Sequence, residues 1–279
     1  MKDLKGRVAV VTGAASGIGR GLALEFAAER MRLVLADVAA DRLAAVADEV
    51  RASGAPALAV PTDVSDAAAV ERLAEATMEE YGAVHVLCNN AGVWTAASQW
   101  ETGLDDWQWV IGVNLWGVIH GIRSFLPRLL AQPDGGHVVN VSSMGGLLGG
   151  PFIGPYIASK HAVVGISKSL RLELAIRGAR VGVTLVCPGD VNTGIIDALG
   201  ARPGQQRTEP AEQPPDVRAL IDNIRESFAK TAISPTDVAR MIVQAIREDR
   251  FWLLPNGAPH MDLVQNEIAE LLAAAQPES

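Results

Sequence analysis

Val8-Ala9-Val10-Val11-Thr12-Gly13-Ala14-Ala15-Ser16-Gly17-Ile18-Gly19 is the stretch that decides the fold. Its four leading apolar residues suit a strand buried on both faces, and Leu22, Phe26 and Ala27 behind the last glycine recur at helical spacing. Glycines between a strand and a helix permit a tight turn and let backbone N–H groups approach a pyrophosphate, whose charge the helix start attracts. The candidate cradle is Gly13, Ser16, Gly17, Ile18 and Gly19. Three glycines in eight residues also fit a plain strand-to-helix turn, so the rest of the chain has to decide.

The same alternation repeats to the end. Short apolar runs at 8–11, 33–36, 57–60, 84–87, 138–141, 181–186 and 251–254 read as seven buried strands. Between them, sets such as Leu43, Val46, Ala47, Val50 and Val70, Leu73, Ala74, Thr77 have the spacing of helices that cover a sheet. Strand-helix alternation predicts an α/β chain with one doubly wound parallel sheet of seven strands and helices on both faces, since parallel neighbours need crossovers. The whole chain, 1–279, is expected to form a single domain. About forty residues at 192–230 lack a strand and carry Ile195, Ile196 and Leu199, then Leu220, Ile221 and Ile224; a segment of that length reads as a lid over a pocket. A helical extension is expected at 259–275.

Composition narrows the function class. Hydrophobic residues make up 49% and charged residues 20%, and the net charge is -8, so a nucleic-acid partner is not expected. No apolar run reaches the roughly 18 residues that span a membrane, and no signal-peptide core is seen, which points to the cytoplasm. Cys88 and Cys187 each end an apolar run and read as buried thiols. The five histidines, His85, His120, His137, His161 and His260, have no metal-site spacing, so each reads as a surface or core residue and metal-independent chemistry is expected.

Strand two ends at Asp37, 18 positions after Gly19, where a carboxylate can accept hydrogen bonds from the adenosine ribose and would repel a 2′-phosphate. Ser16 and Val38 bring no basic group to that spot and Arg20 is expected on the helix exterior, so NAD is favoured over NADP. Asp63, followed by Val64, meets the adenine edge or caps the next helix.

Tyr156 and Lys160 stand at i and i+4, on one face of a helix. A neighbouring ammonium stabilises a phenolate and lowers the tyrosine pKa, as would an oxidised nicotinamide. Thirteen residues before Tyr156, Ser142-Ser143 ends a strand, where a hydroxyl can hold a substrate oxygen.

These residues resemble the short-chain dehydrogenase/reductase family, in its main single-domain branch with a Rossmann-like fold, over nearly the whole chain. The matches are Thr12-Gly13-x-x-x-Gly17-Ile18-Gly19, Asn89-Asn90-Ala91-Gly92, Asn114, Ser143, Tyr156-x-x-x-Lys160 and Pro188-Gly189. The resemblance implies Tyr156 as general acid/base and Ser143 as the group that orients the carbonyl or hydroxyl, with Ser142 only its neighbour. It implies that Lys160 binds the nicotinamide ribose and lowers the Tyr156 pKa, and that Asn114 holds a water linking Lys160 to solvent. Asn90, Ala91 and Gly92 would pass beneath the cofactor, and Pro188, Gly189, Val191 and Thr193 would meet the nicotinamide, while Asp190 and Asn192 are free to vary. The end of the chain departs from the family's tetramer-packing segment, which puts that packing in doubt; pairing through the long helices expected near 104–130 and 156–177 leaves a homodimer or homotetramer as the expected assembly.

Five tryptophans, Trp94, Trp100, Trp107, Trp109 and Trp116, fall within 23 residues. Trp107, Trp109 and Trp116 read as packing of the fourth helix and a partner interface; Trp94 reads equally as pocket wall or as surface packing. Met144, Phe152 and Ile153 beside the Ser and Tyr predict an apolar pocket for a bulky alcohol or ketone. Trp109 to Asn114, Gly154-Pro155-Tyr156 and the Leu-Leu-Pro ending are similar to dehydrogenases of aryl or terpenoid secondary alcohols. The expected function is NAD-dependent interconversion of a hydrophobic secondary alcohol and its ketone. The competing readings are a nucleotide-sensing regulator or scaffold without turnover and an epimerase of the same family; enoyl reduction fits the Tyr-Lys spacing poorly.

Overall fold

The computed structural model describes residues 1–196, 199, 200 and 213–275. Seven strands, β1 (Val8–Thr12), β2 (Arg32–Asp37), β3 (Ala57–Pro61), β4 (Val86–Asn89), β5 (Gly136–Val141), β6 (Val181–Val186) and β7 (Trp252–Leu253), form one sheet in the order β3-β2-β1-β4-β5-β6-β7. Every pairing is parallel. The helices are α1 (Gly17–Ala28), α2 (Ala40–Ala52), α3 (Ala67–Tyr81), α4 (Leu104–Ile111), α5 (Gly117–Ala131), α6 (Gly154–Ile176), α7 (Pro215–Thr231), α8 (Pro235–Glu248) and α9 (Met261–Ala274).

Successive strand residues point to opposite faces, and each face is apolar because each is covered. Ala9, Val11, Leu33, Leu35, Val139 and Val141 share a core with α1, α2 and α8. Val8, Val10, Val34, Ala36, Leu87 and Val138 share the other with α3, α5 and α6. The helical spacing read from the sequence matches the buried sets of α2 and α3 residue by residue. A third apolar cluster contains no strand residue: Trp94, Ala96, Ile196, Leu199, Val217 and Ile221, with Tyr156 and Phe228 packed on it.

Three elements differ from the sequence reading. β4 begins at Val86 rather than Val84, because the Gln132 carboxamide takes both the N–H and the C=O of Val84. β7 pairs over only two residues, since it is an edge strand and the chain turns at once, with the Gly257 N–H donating to Leu254 C=O. The single long helix expected near 104–130 is broken by a π turn at Gly112–Trp116. The lid expected over 192–230 lies partly outside the described residues; its described parts are the turn leading to Ile196, Leu199-Gly200, and α7. Among the described residues no helix is long and apolar enough to cross a membrane.

Candidate active site

The strand order reverses between β1 and β4, and the chain leaves a crevice beyond the carboxyl ends of the strands there. A single cavity of about 1240 Å³ occupies it. Of the residues singled out in the sequence, Gly13, Ser16, Gly17, Ile18, Asp37, Asp63, Val64, Asn90, Ala91, Gly92, Ser143, Tyr156, Lys160, Pro188, Gly189, Val191 and Thr193 line it. Gly19 and Asn114 stand just behind the wall.

The turn after β1 is shaped as a cradle. Gly13 and Gly17 have φ of +66° and +52°, the left-handed region that favours glycine. At Gly19 a Cβ would come within 2.0 Å of the Gly13 carbonyl oxygen, so only glycine lets α1 start this close to β1. The Asn90 carboxamide fixes the same turn, donating to Thr12 C=O at 2.9 Å and Gly13 C=O at 3.3 Å. Thr193 closes over the opposite side, its Cβ 2.9 Å from where a Gly17 Cβ would lie. A bare helix N-terminus walled by glycine backbone fits a pyrophosphate.

At the end of β2 the Asp37 carboxylate accepts from Ala15 N–H at 3.1 Å and Ala39 N–H at 2.9 Å, leaving lone pairs on both oxygens toward the cavity it lines. Those acceptors fit ribose hydroxyls. Arg20 points away and pairs with Glu49, as expected of a helix exterior. Arg42, on the first turn of α2, lines the cavity beside Asp37, and neither the glycine motif nor Val38 signals it. Asp63 accepts from the Ser65 N–H and hydroxyl, while Asp66 caps α3, so the capping alternative for Asp63 falls away.

Tyr156 and Lys160 lie one turn apart on α6, with the ammonium 5.6 Å from the phenol ring centroid. Lys160 Nζ donates to Val141 C=O at 3.0 Å, and burial lowers its pKa to about 8. Burial raises the Tyr156 pKa, and a hydrogen bond with Ser143 pulls it only part of the way back. Burial is thus the larger influence on the phenol, and the Ser143 hydrogen bond the one that favours its charged form. Ser143 stands at the end of β5, and its Oγ accepts from Gly145 N–H at 3.0 Å. Ser142 turns inward and donates to Lys160 C=O, a neighbour's role.

Asn114 is fully buried in the π turn. Its carboxamide accepts from Val93 N–H at 2.8 Å and donates to Val93 C=O at 2.9 Å and to Ser159 Oγ at 3.0 Å. Its side chain thus brackets the strand-four loop against α6.

Three residues of the cavity lining do more than their sequence positions signal. Asp190 is 9% exposed, and its Oδ2 accepts from Ser227 and Thr231 hydroxyls at 2.6 Å each, pinning α7 to the segment after β6. Its C=O also accepts from Asn256 Nδ2. His260 is neither surface nor core; with Leu263 of α9 it lines the cavity, stacked over Gly189, where a Cβ would lie 3.1 Å from His260 Nε2. Trp109 also lines the cavity rather than only packing its helix, and Trp94 is both 6% exposed and part of the wall.

A family model described as short chain dehydrogenase matches residues 7–203. The chain belongs to the short-chain dehydrogenase family. Among family members of known structure, a short-chain dehydrogenase/reductase from Burkholderia phymatum, crystallised in complex with NAD, is 40% identical with a TM-score of 0.92, covering 100% of this chain and 99% of that one. The apo form of LigD from Sphingobium sp. strain SYK-6 is 27% identical with a TM-score of 0.81, covering 99% and 100%. A 1-deoxy-11-beta-hydroxypentalenate dehydrogenase from Streptomyces exfoliatus is 37% identical over 255 residues, 91% of this chain and 84% of the relative. As a short-chain dehydrogenase the protein is an oxidoreductase of the NAD(P)-using kind that acts on a small molecule.

Proposed function

We propose that this dehydrogenase interconverts a bulky apolar secondary alcohol and its ketone with NAD, Tyr156 exchanging the proton. The observation that carries the reading is the convergence of Ser143, Tyr156 and Lys160 on one cavity whose far end holds Asp37 and the glycine cradle. When bound, the nicotinamide supplies the two-electron acceptor for the hydride that leaves the alcohol carbon.

The residues of this chain do the rest. Ser143 and Tyr156 hold the substrate oxygen between two hydroxyls. As the carbon loses its hydride, the O–H proton passes to Tyr156, which must then be a phenolate. Burial opposes that charge; the Lys160 ammonium, together with the positive oxidised ring, offsets the opposition. In the reverse direction the phenol returns its proton to the carbonyl oxygen. The apolar lining, with Met144, Ile153, Ile195, Ile224 and Phe228, excludes water and favours an apolar substrate.

The names of the pentalenate dehydrogenase and of a Sphingobium sp. C alpha-dehydrogenase, 32% identical over 256 residues, support a bulky alcohol. Asp37 supports NAD. Exposed Trp116 and Leu130, and Leu172 and Ile176 on α6, support a homodimer or homotetramer through these helices, which light scattering measures. The central test is a screen of hydrophobic secondary alcohols for NADH formation. Tyr156→Phe should lower kcat by about 10²- to 10⁴-fold with NADH affinity unchanged; turnover within a factor of ten of the native enzyme sinks the proton-transfer role. Silence across a broad panel returns the regulator reading.

A further inference from the structure

Trp94 sits two residues past Gly92 and belongs to no helix or strand, yet it is among the most buried side chains around the cavity, at 6% exposure. Its indole N–H donates to Ile195 C=O at 2.6 Å, across 101 residues of sequence. Its own C=O accepts from Gly200 N–H at 3.3 Å. Within the same stretch Ile195 N–H donates to Thr193 Oγ1 and Leu199 N–H to Ile196 C=O. Trp94 thus holds described residues at both ends of this stretch, Ile195 and Gly200, by hydrogen bonds.

The other side of Trp94 is anchored just as firmly. Val93 is clasped at N–H and C=O by Asn114, which reaches on to Ser159, the residue before Lys160. We propose that Trp94 is a positioning residue for substrate: it fastens the apolar wall formed by Ile195 and Ile196 to the bracket that aligns α6, holding that wall at a fixed distance from Tyr156. A residue that only filled space would need the ring and not the N–H, because the cluster of Ile196, Leu199, Val217 and Ile221 offers apolar contact to any aromatic side chain. The donor gives the contact a direction, and a buried indole N–H without an acceptor is costly.

The proposal rests on reading the cavity as the substrate site, so its test has one readout that needs turnover and one that does not. In Trp94→Phe the ring stays and the donor goes. Substrate KM should rise about fivefold to tenfold, the size of one lost neutral hydrogen bond, with kcat and cofactor KM unchanged. Hydrogen exchange should speed up in peptides covering 193–200 and nowhere else. Unchanged exchange there overturns the tether. Faster exchange with an unchanged substrate KM overturns the positioning role, and so does a uniform loss of kcat, KM and melting temperature, which marks a merely structural residue. If the native enzyme turns over no alcohol, the functional reading fails while the exchange result still decides the tether. Should Trp94→Phe be insoluble, benzothienylalanine at position 94, the same shape without the N–H, carries both readouts.

Discussion

Gly19→Ala puts the smallest possible side chain where the structure has least room for one. The added Cβ would meet the Gly13 oxygen at 2.0 Å, the Gly13 carbonyl carbon at 2.7 Å and Asn90 Nδ2 at 2.7 Å. None of these is the free end of a flexible side chain: two belong to backbone, and the third is a carboxamide donating to Thr12 and Gly13. The contacts therefore relax only if the start of α1 and the β1 turn move apart, which breaks one or both Asn90 bonds. Overpacking of this kind costs about 1–3 kcal/mol and each lost hydrogen bond about 1 kcal/mol, so the variant should be destabilised by about 2–5 kcal/mol. For a chain of this size that lowers the melting temperature by about 5–15 °C. The same displacement widens the cradle, so NADH binding, followed by fluorescence titration, should weaken about tenfold or more. A variant that melts like the native protein and binds NADH equally well would show that the tight approach of α1 to β1 does not build the phosphate site.

Two further outcomes follow from charge. Asp37→Ser removes the carboxylate that opposes a 2′-phosphate and leaves Arg42 on the same wall, so the NADPH to NADH ratio of kcat/KM should rise about tenfold to a hundredfold; Arg42→Ala added to it should take most of that gain away, and an unchanged ratio would remove Asp37 from cofactor selection. His85 and His137 are buried neutral, with pKa lowered by burial from 6.5 to about 4 and about 3. Their folded values lie below the unfolded one, so the unfolded chain binds more protons between them: stability is complete above pH 6.5 and is lost as pH falls toward the folded values. The urea midpoint should drop between pH 7 and pH 4.5, and His85→Asn should flatten that drop; an equal drop in the variant would count against a buried neutral His85.

Much of the fold was legible because its signals are local. Each central strand is covered on both faces and so reads as an unbroken apolar run, and α2 and α3 bury the residues their spacing names. The glycine cradle, Asp37, Ser143, Tyr156 and Lys160 were legible as residues, since each needs a particular side chain at a fixed offset from a strand end. Asp190 was not, because its hydroxyl partners lie 37 and 41 residues away on a helix whose position no spacing reveals. His260 and Leu263 reach the cavity only because the chain doubles back after β7, through Asn256 at φ +53°; an asparagine before a glycine hints at such a turn but not at where it leads. Arg42 and Trp109 sit on helices with more than one possible outward face, and only the packed structure chooses.

The π turn at Gly112–Trp116 carries a consequence for what lengths this chain tolerates. It holds one residue more than an α-helical turn, so the stretch from Leu104 and the stretch to Ala131 are offset by about 100° relative to an unbroken helix. That offset lets Trp109 face the cavity while Val118 and Phe125 face the sheet. Removing one residue from the turn would return it to α-helical hydrogen bonding and still swing Trp109 out of the wall. Here a deletion that regularises secondary structure is the more damaging change, and an exchange of Val113 with Leu115, which keeps the length and spares Asn114, the milder one.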